Sequence, residues 1–172
     1  MVKIALGVCG SVAAVRTVEL VREFRRNHIE VEVVMSESAK RMVGPDALHW
    51  ASGNRVITEL TGDVEHVRLC GVGGEASLLL ICPATSNTIS KISAGIDDTP
   101  VTTLAASALG AGIPIVIVPA MHISMYYNPI VVSNIEKLKE QDVIFMEPEI
   151  DENKAKLPDN SEILKKVLET IK

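Results

Sequence analysis

Four segments of this chain combine small, hydroxyl-bearing and titratable residues in ways that suit the binding of a phosphorylated small molecule. The first, Gly7-Val8-Cys9-Gly10-Ser11-Val12-Ala13-Ala14, joins an apolar run to the start of a helical pattern. Glycine permits a tight turn there, and the free N–H groups and dipole of a helix start attract an anion. The third glycine of a dinucleotide fingerprint is missing and no Walker lysine follows. Alone, the segment reads as a simple strand-to-helix turn. A second hydroxyl-bearing turn, Ser36-Glu37-Ser38, shifts the reading toward a mononucleotide phosphate. In the third segment, Thr85, Ser86, Asn87 and Thr88 follow an apolar run closed by Pro83 and Ala84. A helix N-cap needs only one such residue, so four in a row point to a ligand. The fourth, Pro119 to Tyr126, offers His122 between Met121 and Met125. Its alternatives are a surface histidine and two core methionines.

Outside these segments, His66 stands in Asp63-Val64-Glu65-His66-Val67-Arg68-Leu69. Imidazole titrates near neutral pH and serves as acid, base or orienting group, although a lone histidine is more often a satisfied structural one. His28 and His49 have no such context. The four histidines lack cysteines or carboxylates at ligand spacing, which argues against a structural zinc site and leaves no metal expected.

The elements that must carry these segments follow from periodicity. Residues 2–8 read as a buried strand, 12–26 as an amphipathic helix and 29–35 as a second strand. Together they form a βαβ unit with a right-handed crossover. Further helices are predicted from 36 through 41, at 45–52, as a short turn at 65–69, at 87–94 and from Thr99-Pro100 to about 110, with Gly95 and Gly112 as stops. Strands are predicted at 77–82, stopped by Pro83, at 114–118, stopped by Pro119, and at 143–146. The closing helices are 129–140 and 161–171. Alternating strands and helices predict an α/β fold with a doubly wound, mostly parallel sheet flanked by helices. Ligands in such sheets bind beyond the carboxyl ends of the strands, where all four segments fall.

Composition agrees. The 172 residues suit one domain spanning 1–172, and with 47% hydrophobic residues but only 3% aromatics the core is Val, Ile, Leu and Ala. The net charge of 17 − 22 = −5 argues against a general nucleic-acid binder. Cys9, Cys70 and Cys82 are far apart and odd in number, so a disulfide framework is not expected. No apolar run reaches about 18 residues, and residues 2–9 are too short for a secretory h-region. The expectation is a cytoplasmic domain with no membrane or nucleic-acid partner.

The motifs taken together resemble the homo-oligomeric flavin-containing cysteine decarboxylases over nearly the whole chain. The resemblance rests on Gly10-Ser11-Val12-Ala13-Ala14, on Glu65-His66-Val67-Arg68-Leu69, and on Pro83-Ala84-Thr85-Ser86-Asn87-Thr88 with Lys91 and Gly95-Ile96-Asp97-Asp98. Pro119-Ala120-Met121 and Met125 complete it. It implies a Rossmann-like flavoprotein holding FMN at the interface between subunits of a homotrimer, or of a homododecamer built from trimers. The implied activity is FMN-dependent decarboxylation of 4′-phospho-N-pantothenoylcysteine to 4′-phosphopantetheine, a step of coenzyme A biosynthesis. The alternative is a flavin reductase or electron-transfer flavoprotein of the same fold.

Carried over residue by residue, Gly10, Ser11 and Ser36 or Ser38 fall where the family holds the FMN phosphate and ribityl chain. Thr85, Ser86, Asn87 and Thr88 fall on its second flavin-binding stretch, and Ala120 lies against the bound molecules. His66 matches the catalytic histidine; Met121 and His122 fall at the substrate. Two positions depart from the pattern. His122 replaces an asparagine that contacts the substrate carboxylate, and no cysteine follows Cys82 to serve as the proton donor of the C-terminal flap. Residues 151–156 occupy that flap, and Lys154, Lys156, Tyr126 or water are the candidate donors.

Overall fold

A computed structural model describes residues 2–172. The first strand, β1 (Val2–Val8), alternates its side chains between two faces. Ile4, Leu6 and Val8 enter one hydrophobic cluster and Ala5 enters the other. Because both faces are covered, the strand is apolar throughout its centre. A 3-10 turn (Val12–Arg16) and helix α1 (Thr17–Arg26) follow, then β2 (Ile29–Met35). Next come a 3-10 turn (Ala39–Arg41), α2 (Pro45–Ser52) and the short α3 (Glu65–Cys70). The chain continues through β3 (Leu79–Ala84), α4 (Ser86–Ala94), α5 (Pro100–Ala111) and β4 (Ile115–Pro119). After them lie β5 (Met121–His122), α6 (Ile123–Tyr126), α7 (Pro129–Lys139) and β6 (Ile144–Phe145). A hairpin of β7 (Glu149–Asp151) and β8 (Lys154–Lys156) precedes the closing α8 (Asn160–Thr170).

The main sheet has the order β2-β1-β3-β4-β6 with every pair parallel. The chain first steps from β1 to β2, then returns past β1 to β3. The direction of winding therefore reverses between β1 and β3, which opens a crevice at their carboxyl ends. On one face α1 and α8 bring Leu20, Val21, Phe24, Ile163 and Val167 against the sheet. On the other, α4, α5 and α7 bring Ile89, Val101, Leu104 and Ile135. Helix α5 lies so close to β1 that a Cβ on Gly7 would meet Val101 Cγ1 at 2.8 Å.

The doubly wound α/β fold is therefore present as the sequence pattern requires. Four local features differ from expectation. The helix predicted from residue 12 begins as a 3-10 turn, because the Ser11 carbonyl accepts from the Ala14 N–H (2.9 Å) and its hydroxyl from the Ala13 N–H (3.3 Å). The helix predicted from residue 36 shrinks to the turn at Ala39–Arg41, with Ser36 bonded to Val8 across the sheet end instead. Strand β3 continues through Pro83 to Ala84 rather than stopping there, whereas β4 does end at Pro119. Proline cannot donate, yet the Pro83 carbonyl still accepts from the Cys9 N–H at 3.2 Å. Finally, residues 149–156 form a hairpin whose second strand pairs antiparallel with β5. No helix of the described residues is long and apolar enough to cross a membrane.

Candidate functional site

Two adjoining cavities open beyond the carboxyl ends of β1, β3 and β4, at the reversal of winding. The first, of about 350 Å³, is lined by Gly10, Ser11, Ser38, Thr85, Ser86, Asn87, Ala120, Met121 and Met125. The second, of about 470 Å³, shares Ser11, Ala120 and Met121 with it and adds Arg16, His122, Lys154 and Lys156. Both volumes fall in the range of small-molecule sites, roughly 300–1,000 Å³.

Each wall has a local cause. Ser11 follows β1 and caps the 3-10 turn. Thr85 follows β3 and caps α4, accepting from the Thr88 N–H at 3.3 Å. That cap uses one hydroxyl and leaves Ser86 and Asn87 on the cavity wall. Gly10 is required by close approach: a Cβ there would lie 2.4 Å from Ser38 Oγ and 2.5 Å from Ser38 Cβ. The missing side chain is what lets the turns after β1 and β2 meet over the cavity. Cys9 lies beneath this floor, where burial pushes its thiol up to about 11 against hydrogen bonds from Thr88 and the Thr85 backbone. Its sulfur accepts from the Thr88 hydroxyl at 3.3 Å.

The second cavity is built across the chain's length. Arg16 donates to the carbonyls of Leu157 (2.8 Å) and Pro158 (2.9 Å) and to Asn160 Oδ1 (3.3 Å), tying the end of β8 to the turn after β1. His122 caps α6, its Nδ1 accepting from the Ser124 N–H at 3.2 Å. The neutral ring therefore carries its proton on Nε2. Lys156 is paired with Asp151, whose carboxyl is held below the usual carboxylate range by that contact.

The structure thus gathers Gly10, Ser11, Ser38, Thr85, Ser86, Asn87, Ala120 and Met121 at one cavity, with His122 next to it. Of the two serines left open, Ser38 lines the wall. Ser36 is buried, its hydroxyl 3.1 Å from Ser38 Oγ and accepting from the Ala39 N–H at 3.3 Å. Thr88 is buried as well, bonded to Thr85 and Cys9 rather than lining the cavity. His66 lines neither cavity. It sits half-buried on α3, and its Nδ1 is buried with no hydrogen-bond partner among the described residues. Tyr126 donates its hydroxyl to Glu147 at 3.1 Å; burial and that carboxylate push its phenol pKa up to about 12, making it a weaker acid.

Sequence reasoning missed Arg16. Its partners lie more than 140 residues away, and nothing local marks it. Among the described residues no group of three or more His, Cys, Asp or Glu is placed to hold a metal.

Comparison with known proteins places this geometry in context. A model of the flavoprotein family matches residues 1–172. The chain is 53% identical over 167 residues to the coenzyme A biosynthesis bifunctional protein CoaBC of Thermococcus kodakarensis, covering 96% of this chain and 41% of that protein. It is 42% identical over 170 residues to the same-named protein of Methanocaldococcus jannaschii, covering 98% and 41%. The chain spans about two-fifths of the length of these curated relatives. Among solved structures, the FMN-dependent cysteine decarboxylase SpaF superposes with a TM-score of 0.84 at 30% identity, covering 100% of this chain and 98% of the other.

Proposed function

We propose that this chain, which belongs to the flavoprotein family, binds FMN and decarboxylates 4′-phospho-N-pantothenoylcysteine to 4′-phosphopantetheine in coenzyme A synthesis. The observation that carries the reading is the shared wall of the two cavities. One side is lined by hydroxyls and the close-approach glycine, the other by cationic side chains. The first side suits a phosphate and a polyol chain, held by Ser11 at the start of the first helical segment and by Ser38 in the turn after β2. A flat ring fits against Thr85, Ser86, Asn87 and Ala120. The cationic side suits an acid that must be held against that ring.

FMN, when bound, supplies reversible two-electron chemistry, so the net change is replacement of the cysteinyl carboxylate by hydrogen with loss of carbon dioxide. The chain's own residues orient and exclude. Ser11, Ala120 and Met121 form the surface on which cofactor and substrate meet. On the wall of the second cavity, His122 offers its Nε2–H as a donor for an anion. His66 is the proposed base or ring-orienting group, since a buried and unpartnered imidazole nitrogen is costly unless it has work to do.

Because His66 lines neither cavity of its own chain, we assign it to the cavity of a neighbouring copy. Val64, Val67 and Val72, near it in the chain, are exposed apolar side chains at 49, 49 and 90% exposure, which suits such contact. The expected assembly is the homotrimer, with or without further association.

The experiment is direct. The purified protein should be yellow and should release carbon dioxide from phosphopantothenoylcysteine, while His66→Asn keeps the colour and loses product. Mixing inactive His66→Asn subunits with inactive Gly10→Val subunits should restore part of the activity if sites are shared between copies. A yellow protein that releases no carbon dioxide but passes electrons to an acceptor would refute the decarboxylase reading. It would favour the electron-transfer alternative, to which the lack of a cysteine after Cys82 lends support.

A further inference from the structure

The hairpin after β6 places a row of three ionisable side chains across the small antiparallel sheet. Asp151 of β7 is paired with Lys154 of β8, and Lys154 in turn with His122 of β5. Residues directly opposite in antiparallel strands point to the same face, with Cβ atoms about 4.5–5.5 Å apart. Lys154 therefore stands beside His122, and both line the second cavity.

The other cations of that cavity are occupied. Arg16 spends its guanidinium on Leu157, Pro158 and Asn160, and Lys156 is paired with Asp151. Among the described residues, no hydrogen bond or ion pair within 4 Å holds the Lys154 ammonium; the cross-strand Asp151 carboxylate acts on it at longer range and is itself paired with Lys156. A cation kept beside a histidine, in a cavity of a chain with net charge −5, suits an anionic ligand group.

Which anion it meets follows from the cavity's place. Met121 immediately precedes His122 and belongs to the wall shared with the first cavity. A substrate whose reacting carbon faces the first cavity must bring its cysteinyl carboxylate to that wall. Its phosphate, at the far end of the pantothenoyl chain, is carried away from it.

Resting on the function proposed above, we propose that Lys154 holds the substrate carboxylate together with His122 and so selects substrates that carry one. The role is positional: an ammonium at this place fixes the carboxylate before it leaves, and Arg16 keeps the hairpin docked so that it can. The hairpin thus carries a specificity-determining residue and is more than a cover.

The test separates this claim from the function reading. Two unreactive ligands are compared by calorimetry on the flavin-loaded protein: 4′-phospho-N-pantothenoylserine, which keeps the carboxylate, and its decarboxylated ethanolamide. In Lys154→Met the serine compound should bind roughly 10- to 100-fold more weakly, the scale of losing a hydrogen bond to a charged group. The ethanolamide should bind as it does to the parent protein, and Lys154→Arg should recover most of the serine affinity. Unchanged serine affinity in Lys154→Met overturns the assignment. Equal weakening of both ligands also overturns it, because the lysine would then serve the phosphate or the hairpin fold. A parent protein that binds neither ligand refutes the function reading itself, a result seen before any variant is made.

Discussion

Gly10→Ala is the sharpest perturbation of the floor between the turns after β1 and β2. The added methyl would sit 2.4 Å from Ser38 Oγ, 2.5 Å from Ser38 Cβ and 3.1 Å from the Ser38 carbonyl carbon. Rotating the Ser38 hydroxyl relieves the first contact but neither of the others. The segment is also pinned, since the Ser36 N–H donates to the Val8 carbonyl and the Ala39 N–H to the Ser36 carbonyl, each at 3.0 Å. Overpacking of this kind costs about 1–3 kcal/mol. For a domain of this size each kcal/mol shifts the melting temperature by about 2–4 °C, so a fall of roughly 2–12 °C is expected. Moving Ser38 also disturbs the proposed phosphate contact, and a loss of about 1.4 kcal/mol there is tenfold in affinity for FMN. Circular-dichroism melting of the apoprotein and a flavin-fluorescence titration read the two effects separately. Gly110→Ala is the control. Its added Cβ meets nothing within 4 Å inside α5, and it should stabilise by about 0.5–1 kcal/mol. A Gly10→Ala protein that melts with the parent and binds FMN equally well would refute the close-approach argument.

Other perturbations probe the same framework. Thr85→Ala removes the N-cap of α4 and should cost about 1 kcal/mol by denaturant titration, with a larger loss of flavin affinity than of stability. Native protein at pH 8 should leave a thiol reagent unconsumed while unfolded protein consumes three equivalents. Burial is the reason, raising Cys9 to about 11 and Cys70 and Cys82 to about 12; rapid native reaction would contradict the packing. Glu65 has its carboxyl held below the ordinary 4.5 by the Thr61 hydroxyl and N–H. The folded state thus binds that proton more weakly than the unfolded chain. Its stabilisation is present above pH 4.5 and is lost as the pH falls through the depressed value. Thr61→Val should flatten this part of the acid dependence, and an unchanged acid limb in pH-dependent melts would show that the contact does not form.

Much of the local architecture was legible because its causes lie within a few residues. The apolar run at Val2–Val8 demanded a strand covered on both faces. Thr99 before Pro100 marks the start of α5, where Thr99 and Thr102 form a capping box with Pro100 at the first helical position, and Gly95 and Gly112 end their helices in the left-handed region at φ 70° and 72°. The hydroxyl cluster after β3 stood out for the same reason: one cap explains one residue and leaves the others unexplained. The short strands β5, β7 and β8 gave no such signal. Two or three residues carry no readable period, and the pairing of β5 with β8 joins segments more than thirty positions apart.

By itself, then, the sequence determined most elements of the main sheet and its covering helices, their α/β order and the segments that lie beyond the strand ends, because capping, turn geometry and alternation act over one or two helical turns. Tertiary structure alone decided which of those segments meet. It chose Ser38 over Ser36 for the cavity wall, turned Thr88 inward to Cys9, set Lys154 beside His122, and left His66 outside the cavities of its own chain. Each outcome depends on strand order and docking across tens to more than a hundred residues, where the sequence states the side chains but the packing of the sheet chooses their neighbours.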